Sequence, residues 1–372
     1  MNHTPWLAAL LLIALAGCSD GSSSSNDPST PQPDPQSNND STGKDFIPVV
    51  IPKGDSGKYM DSFTVQTDSV KLKKVTGSTH IKGIYWDDVK EKLIYQEIKD
   101  GQATFRILDV GVTAYHQQFS PAGSKIAFST AYEGSGAESQ MYVLDLNSDA
   151  MKPIKFDDNA AIPRWHVDAD GDTAIFYVTN ACSNMIEAWD STSTWSVKFS
   201  GNKFGKAEKI FDRAYNGGIA ADYSFAVGGA PALKLHRAED MSYDDRTFYN
   251  GEQVCNVSLA RDSSMRIMFL DAQGTPGKEY LGLSFYYFHE YIFIADTTGK
   301  IQSAIKCMDG YVFDGTEWLN VPDLFVATIS PSEGDMMRRD VVIVNVATDD
   351  RIIIAHTKKD VDLMHPDVWV AP

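Results

Sequence analysis

The chain has 372 residues, 43% of them hydrophobic, and a formal net charge of −17. That hydrophobic fraction excludes wholesale disorder, and the length admits either two domains or one large all-β unit. The acidic balance excludes sequence-independent nucleic-acid binding and docking on anionic lipid through a basic patch, because both need clustered Lys and Arg.

The N-terminus reads MNHTPWLAALLLIALAGC over residues 1–18. The apolar run Trp6–Ala16 falls short of the about 20 residues that a membrane-spanning helix needs, and it has the size of a secretory h-region. The run ends in Leu15-Ala16-Gly17-Cys18, an apolar residue, two small ones and a cysteine. This resembles the bacterial lipobox, although no Lys or Arg precedes the apolar run. The resemblance implies export, removal of residues 1–17 and acylation of Cys18, the palmitate-type modification that anchors a lipoprotein. Two or three acyl chains anchor stably where one is marginal. Ser19 and Asp20 after the cysteine imply the outer membrane, on its periplasmic face or at the cell surface.

Residues 18–45 form the next unit. Between Ser19 and Asp45 the sequence is Ser, Asp, Asn, Gly, Pro, Thr and Gln with no aromatic or aliphatic residue, and its only cation is Lys44. Such a stretch cannot bury enough surface to offset the entropy of ordering, so it is expected to be a disordered tether spanning roughly 30 Å.

From residue 46 to 372 long helical periodicity is nearly absent. Short β-branched and aromatic runs alternate with Gly, Asp, Asn and Ser turns, which indicates an all-β body. One unit recurs: an aromatic or apolar start, a turn, an apolar triplet, a loop, and a strand ending in Asp. Its clearest copy is Phe119-Ser120-Pro121-Ala122-Gly123-Ser124-Lys125-Ile126-Ala127-Phe128, followed by Met141–Leu146. Pro121 presets the turn and Gly123 supplies a positive φ, so two strands return antiparallel. Unit starts near 80, 115, 161, 218, 254 and 314 have the spacing of propeller blades, about 35–60 residues. His365–Val370 reads as a lone strand. Phe46–Ile51 and Ser62–Val75 read as strands without a first strand. Joining the two ends makes a shared blade that closes the ring and removes exposed edges. Seven blades are expected on this count, or six if the N-terminal strands merely cap the last unit; a β-sandwich pair is the other architecture.

FSPAGSKIAFST with MYVLDL resembles the repeat of TolB-like β-propellers. Glu252–Asp271, His289–Lys300 and Phe313–Trp318 further resemble a paralogous family of exported propeller lipoproteins of fibre-degrading gut bacteria. The resemblance implies a partner-binding propeller and carries no assigned activity. Prolyl-oligopeptidase relatives add a Ser-His-Asp hydrolase domain, but here there is no GxSxG elbow.

Asp168, Asp170 and Asp172 alternate as calcium ligands do, yet the distal Glu of an EF-hand is missing and Gly171 is misplaced for one; an Asp/Gly-rich turn explains the same residues. No other cofactor is indicated. His166, His289 and His365 have no metal-ligand spacing. Glu290, Asp314, Glu317 and Asp323 are carboxylates that a glycosidase or lyase on a propeller could use. Trp165, Trp318 and Trp369, with Glu317, His166 and His365 beside them, are the candidate binding residues. Aromatics at unit starts also pack between blades, and Phe285–Phe288 reads as blade packing. Cys182, Cys255 and Cys307 remain after lipidation, so at most one disulfide can form, with Cys182–Cys255 the pair chosen. The expected function is a non-catalytic binding or scaffolding module for an envelope protein or polysaccharide. The alternative is a glycan-active enzyme using two funnel carboxylates.

Overall fold

A computed structural model describes residues 63–65, 68–131, 138–148, 152–168, 171, 173–179, 191–229, 232–237, 247–333, 339–357 and 361–372. The signal segment, Cys18, the tether and Phe46–Ile51 lie outside these residues, as do Asp170, Asp172 and Cys182.

The described chain enters through strand β1 (Phe63–Val65) and helix α1 (Ser69–Thr76). The sequence reading placed strand over Ser62–Val75, and the helix corrects it. Asp68 caps the helix by accepting from the Val70 and Lys71 amides at 3.0 Å each, and Gly77 ends it at φ 79°. Leu72 and Val75 face inward and are buried, which is the helical spacing of three.

Blade 1 holds β2 (His80–Asp87), β3 (Lys92–Lys99) and β4 (Gln102–Leu108). Blade 2 runs β5 (Tyr115–Phe119), β6 (Lys125–Ser129), β7 (Gln140–Asp145) and β8 (Ile154–Asn159). Blade 3 runs β9 (Ala161–Val167), β10 (Thr173–Val178), β11 (Ser193–Ser200) and β12 (Lys203–Asp212). Blade 4 is short: β13 (Gly218–Ile219), β14 (Phe225–Gly228), β15 (Leu233–Arg237) and β16 (Thr247–Phe248). Blade 5 holds β17 (Val254–Leu259), β18 (Ile267–Asp271), β19 (Tyr291–Ala295) and β20 (Ile301–Lys306), with helix α2 (Thr275–Leu281) between its second and third strands. Blade 6 holds β21 (Tyr311–Trp318), β22 (Leu324–Pro331), β23 (Asp340–Asn345) and β24 (Arg351–Thr357), and β1 pairs on its outer edge. The last strand, β25 (Leu363–Val370), pairs antiparallel with β2 and becomes the inner strand of blade 1.

The protein is therefore a six-bladed β-propeller closed by its last strand. Six is the smaller of the two numbers the repeat admits. The unit starting near residue 80 supplies only three strands, because Tyr85-Trp86 belongs to a second strand and not to a first. The terminal strand completes that unit and does not seed a seventh. Six hydrophobic clusters, one at each blade-to-blade interface, hold the ring; the one between blades 6 and 1 takes in Leu72 and Val75 from α1. No helix among the described residues is long and apolar enough to cross a membrane.

Candidate functional site

Five of the six inner strands share one irregularity. His116, Ile162, Asn256, Gly315 and His365 have φ of 52°, 52°, 49°, 30° and 48°. At each, pairing with the second strand slips by one residue, as at Tyr115↔Ser129 then Gln118↔Ala127, and Met364↔Trp86 then Asp367↔Ile84. These are β-bulges, and they re-aim the residues that follow. Ile162 is β-branched, for which positive φ carries strain. Two residues beyond each bulge stand Gln118, Arg164, Ser258, Glu317 and Asp367. The hairpin bonds Ser120 N to Lys125 O and Ala220 N to Phe225 O put Gly218 at the matching place in blade 4.

These residues tie the hub together. Arg164, from blade 3, forms an ion pair with Glu317 on the opposite blade 6, and its Nε donates to Asn216 O at 2.5 Å. Glu317 Oε2 accepts from Ser258 Oγ at 2.9 Å. Gln118 Oε1 accepts from Trp165 N at 2.6 Å. Asp367 Oδ2 accepts from Phe119 N at 2.6 Å, and its Oδ1 pairs with Arg261 at 2.9 Å. Burial pushes the Asp367 carboxyl up to about 6 in spite of Arg261.

The Arg164–Glu317 bridge separates two spaces, since Gln118, Arg164 and Glu317 line both. On one side is a chamber of about 40 Å³ beside His116 and His365, room for a water or two. The two imidazoles lie 4.2 Å apart at their centroids, and burial holds His365 down at about 4. On the other side the hub opens into a blind mouth of about 700 Å³, within the range of small-ligand sites. Blades 3, 4 and 5 build its walls, with Val167, Ile219 and Leu259 among the apolar ones. His166 lines the mouth while exposing 9% of its surface, and neither ring nitrogen has a hydrogen-bond partner in the protein. Burial keeps this imidazole neutral, with a pKa of about 4.

Glu317, Trp165, His166 and Asp168 thus meet at the mouth, whereas His365 faces the inner chamber. Trp318 is buried between blades 5 and 6 under the Arg266 guanidinium, 4.9 Å from its ring centroid. Trp369 fills the seam between blades 1 and 2, donating from Nε1 to Pro121 O at 3.0 Å. Both act as blade packing. Asp168 sits 3.4 Å from Lys198, and its carbonyl accepts from Gly171 N at 2.9 Å, a turn bond. Asp314 is held by Arg339, Asp323 by Arg266, and Glu290 lies 3.5 Å from Lys306. His289 is buried, lines neither space and stacks on Phe288. Cys255 is disulfide-bonded and Cys307 is a free buried thiol, its pKa pushed up to about 12 by burial.

Phe285–Phe288 divides between two roles. Tyr286 is buried and donates to Asp271, while Phe285 and Tyr287 are 59% and 49% exposed. Tyr287 borders an outer cleft of about 570 Å³ with Glu290, Lys306 and Asp309.

Sequence reasoning missed Gln118, Arg164, Gly218, Ser258, Arg261 and Asp367. The available signal was positional. Aligning the five inner strands that lead into a hairpin puts Gln118, Arg164, Gly218 and Ser258 in one column with Glu317, while Asp367, on the last strand, joins that column only through its pairing with β2.

No family model matches the sequence, and no curated protein does. Solved structures share the fold. The chain is similar to the hydrazine synthase of Kuenenia stuttgartiensis, with a TM-score of 0.50 and 9% identity over 80% of this chain and 47% of that one. It spans about half the length of that protein. A chain of a nidogen–laminin complex gives a TM-score of 0.48 and 9% identity over 77% of this chain and 98% of that one. A putative TolB from Agrobacterium tumefaciens gives 0.46 and 12% identity over 80% and 100%. At these identities the likeness is one of fold.

Proposed function

We propose that the chain is an exported lipoprotein, anchored through Cys18 at the outer membrane, whose propeller is a non-catalytic binding module for an envelope polysaccharide or protein. The support for export and anchoring is the sequence of residues 1–45. The observation that carries the binding role is a blind mouth whose central charges are already matched. A rigid ring that presents turns around a cavity is a common binding scaffold. Glycoside hydrolysis needs two available carboxylates about 5–9.5 Å apart. Here Glu317 is engaged by Arg164 and Ser258, Asp168 by Lys198 and Asp262 by Arg266, which leaves Asp222 as the one mouth carboxylate with no cation beside it among the described residues; Asp367, the hub carboxyl with an acid-like pKa, is fully buried and lines neither space.

The test is a photo-crosslinking residue at Ala221, on a mouth turn, in the full chain expressed in its own envelope. The expected result is crosslinking to one envelope component, in a fraction that loses its membrane association on Cys18→Ser. Release of reducing sugar from envelope glycans by the purified protein, lost on Glu317→Gln, would replace this reading with the enzymatic one.

A further inference from the structure

The helix-bearing insert of blade 5 carries side chains that the ring does not use. Residues 272–290 join β18 to β19, and within them Tyr280, Leu283, Phe285 and Tyr287 are exposed. No other aromatic side chain among the described residues is exposed. The insert is firmly held. Asp271 accepts from the Tyr249 and Tyr286 hydroxyls and from Gly274 N at 2.9 Å, Glu252 Oε2 accepts from Thr275 N at 2.7 Å, and Tyr280 donates to Gln302 O at 2.8 Å. Tyr286 turns inward, and Phe285 and Tyr287 on either side of it face out as a pair, with ring centroids 5.6 Å apart. We propose that this insert lies in the interface of the bilayer to which Cys18 tethers the chain, so that the mouth opens away from the membrane. This rests on the lipoprotein reading and adds the orientation of the anchored propeller.

Topology comes first. Phe119, Val167, Ile219 and Leu259 end their inner strands at the mouth. In an antiparallel blade the second strand then runs to the opposite face, where its link to the third strand opens. The insert is such a link, so it lies on the face away from the mouth. The fourth strand ends on that face as well. Phe63 pairs with Thr357, the last residue of β24, so the chain from Cys18 meets the ring on the same face and on the adjacent blade. A flexible chain as long as residues 19–62 spans roughly 35–40 Å, enough for the insert to reach the surface that holds Cys18. Chemistry comes second. Tyrosine rings suit the headgroup level of a bilayer, and Leu283 and Phe285 supply apolar surface to sink below it. The net charge of −17 makes this an apolar contact with lipid and not an electrostatic one. Shape comes third. Val89, in the β2–β3 turn of blade 1, and Val112, in the link from blade 1 to blade 2, are also exposed on this face. Apolar points on separate blades of one face fit a flat partner. The contact is small, but tethering makes it intramolecular, at an effective concentration of the order of millimolar.

Nitroxide depth measurement on the full acylated chain tests this. The chain is reconstituted through its own acyl group into phosphatidylcholine vesicles at high dilution. The label is carried on Ser284→Cys, an exposed position in the insert, with Ala221→Cys on the mouth turn as the aqueous control. The unsubstituted chain corrects for label taken up elsewhere. The label at 284 should gain collisions with oxygen and lose those with a nickel chelate, at a depth of about 5–10 Å inside the headgroup boundary, while the label at 221 stays in water. Raising the ionic strength about tenfold should leave that depth unchanged, because the contact is apolar. Phe285→Ser with Tyr287→Ser should return the label at 284 to water; both side chains are exposed, so the melting temperature should hold. A label at 284 as open to the chelate as the one at 221 overturns the inference, as does a depth indifferent to the double variant. Loss of oxygen and chelate collisions together also overturns it, since that means cover by protein, either a second copy or residues 19–62. The mass of the purified chain reports the acyl group on Cys18 and separates the two readings. An acylated chain with its label at 284 in water keeps the anchor and loses the docked face. A chain without the acyl group loses both.

Discussion

At the scale of single residues, buried charges that clamp the ring are where the structure commits most. Arg339 exposes 5% of its surface; Nη1 donates to both oxygens of Asp362 at 2.5 and 2.6 Å, and Nε donates to Asp314 at 2.8 Å. Asp362 exposes 1% and leads into β25, while Asp314 lies on β21, so this cation joins the closing strand to its neighbour. Burial alone pushes the Asp314 carboxyl up, but the Arg339 guanidinium brings it below the usual carboxylate range. Removing one partner of such a group leaves uncompensated buried charge, a cost of about 3–5 kcal/mol. Arg339→Met should therefore lower stability in urea by that amount. Adding Asp314→Asn and Asp362→Asn should restore part of it. No loss in the single variant would mean that solvent reaches the carboxylates.

At the scale of elements, blade 4 shows how a weak repeat is accommodated. Its first and last strands have two residues each, and glycines bring its backbone against blade 5. Gly218 has φ 146°, and a Cβ there would stand 2.4 Å from Leu259 Cβ. Gly111 also has positive φ, 70°, but nothing lies within 4 Å of its Cβ direction. Gly218→Ala should cost about 2 kcal/mol or more, from strain and overpacking together, while Gly111→Ala should cost about 1 kcal/mol, from strain alone. Chemical denaturation of the two variants separates those contributions, and equal losses would show that the blade 4–5 seam yields. The same elements explain what the sequence discloses. The hairpin at Phe119–Phe128 was legible because Pro121 and Gly123 fix the turn locally and Ile126 and Phe128 alternate inward. Helix α1 was missed because Val70, Leu72 and Val75 read as β-formers, although Asp68 and Gly77 are cap residues. The bulges could not be seen in one strand, since His116, Ile162, Asn256, Gly315 and His365 follow no common residue type. Only the ring makes them equivalent. For the same reason Glu317 and His166 could be singled out as candidates while Arg164, which neutralises Glu317, could not.

At the scale of the whole molecule, closing a ring around polar residues fixes how its stability responds to acid. His116, His166, His289 and His365 are all held below the ordinary histidine pKa, first by burial, and the last three lie at about 4. Each is neutral in the folded state and gains a proton on unfolding once the pH is below about 6.5. Their contribution is complete above that pH and is lost as the pH falls toward 4. Asp367 acts in the opposite sense. Its folded pKa of about 6 exceeds the unfolded one, so its contribution is complete below about 4 and is lost as the pH rises through 6. Burial also raises the Asp271 carboxyl, so four imidazoles oppose two carboxyls, and near pH 5 the unfolded chain binds a net of about two protons more than the folded one. Stability should fall by about 2–3 kcal/mol per pH unit there. Urea melts at pH 7, 6 and 5 measure this directly. Asp367→Asn should steepen the fall, because it removes the compensating group, and His289→Phe should flatten it by about 1.4 kcal/mol per unit, one proton's worth. A profile level from pH 7 to 5 would show that water reaches these imidazoles and that the hub is open where the structure has it packed.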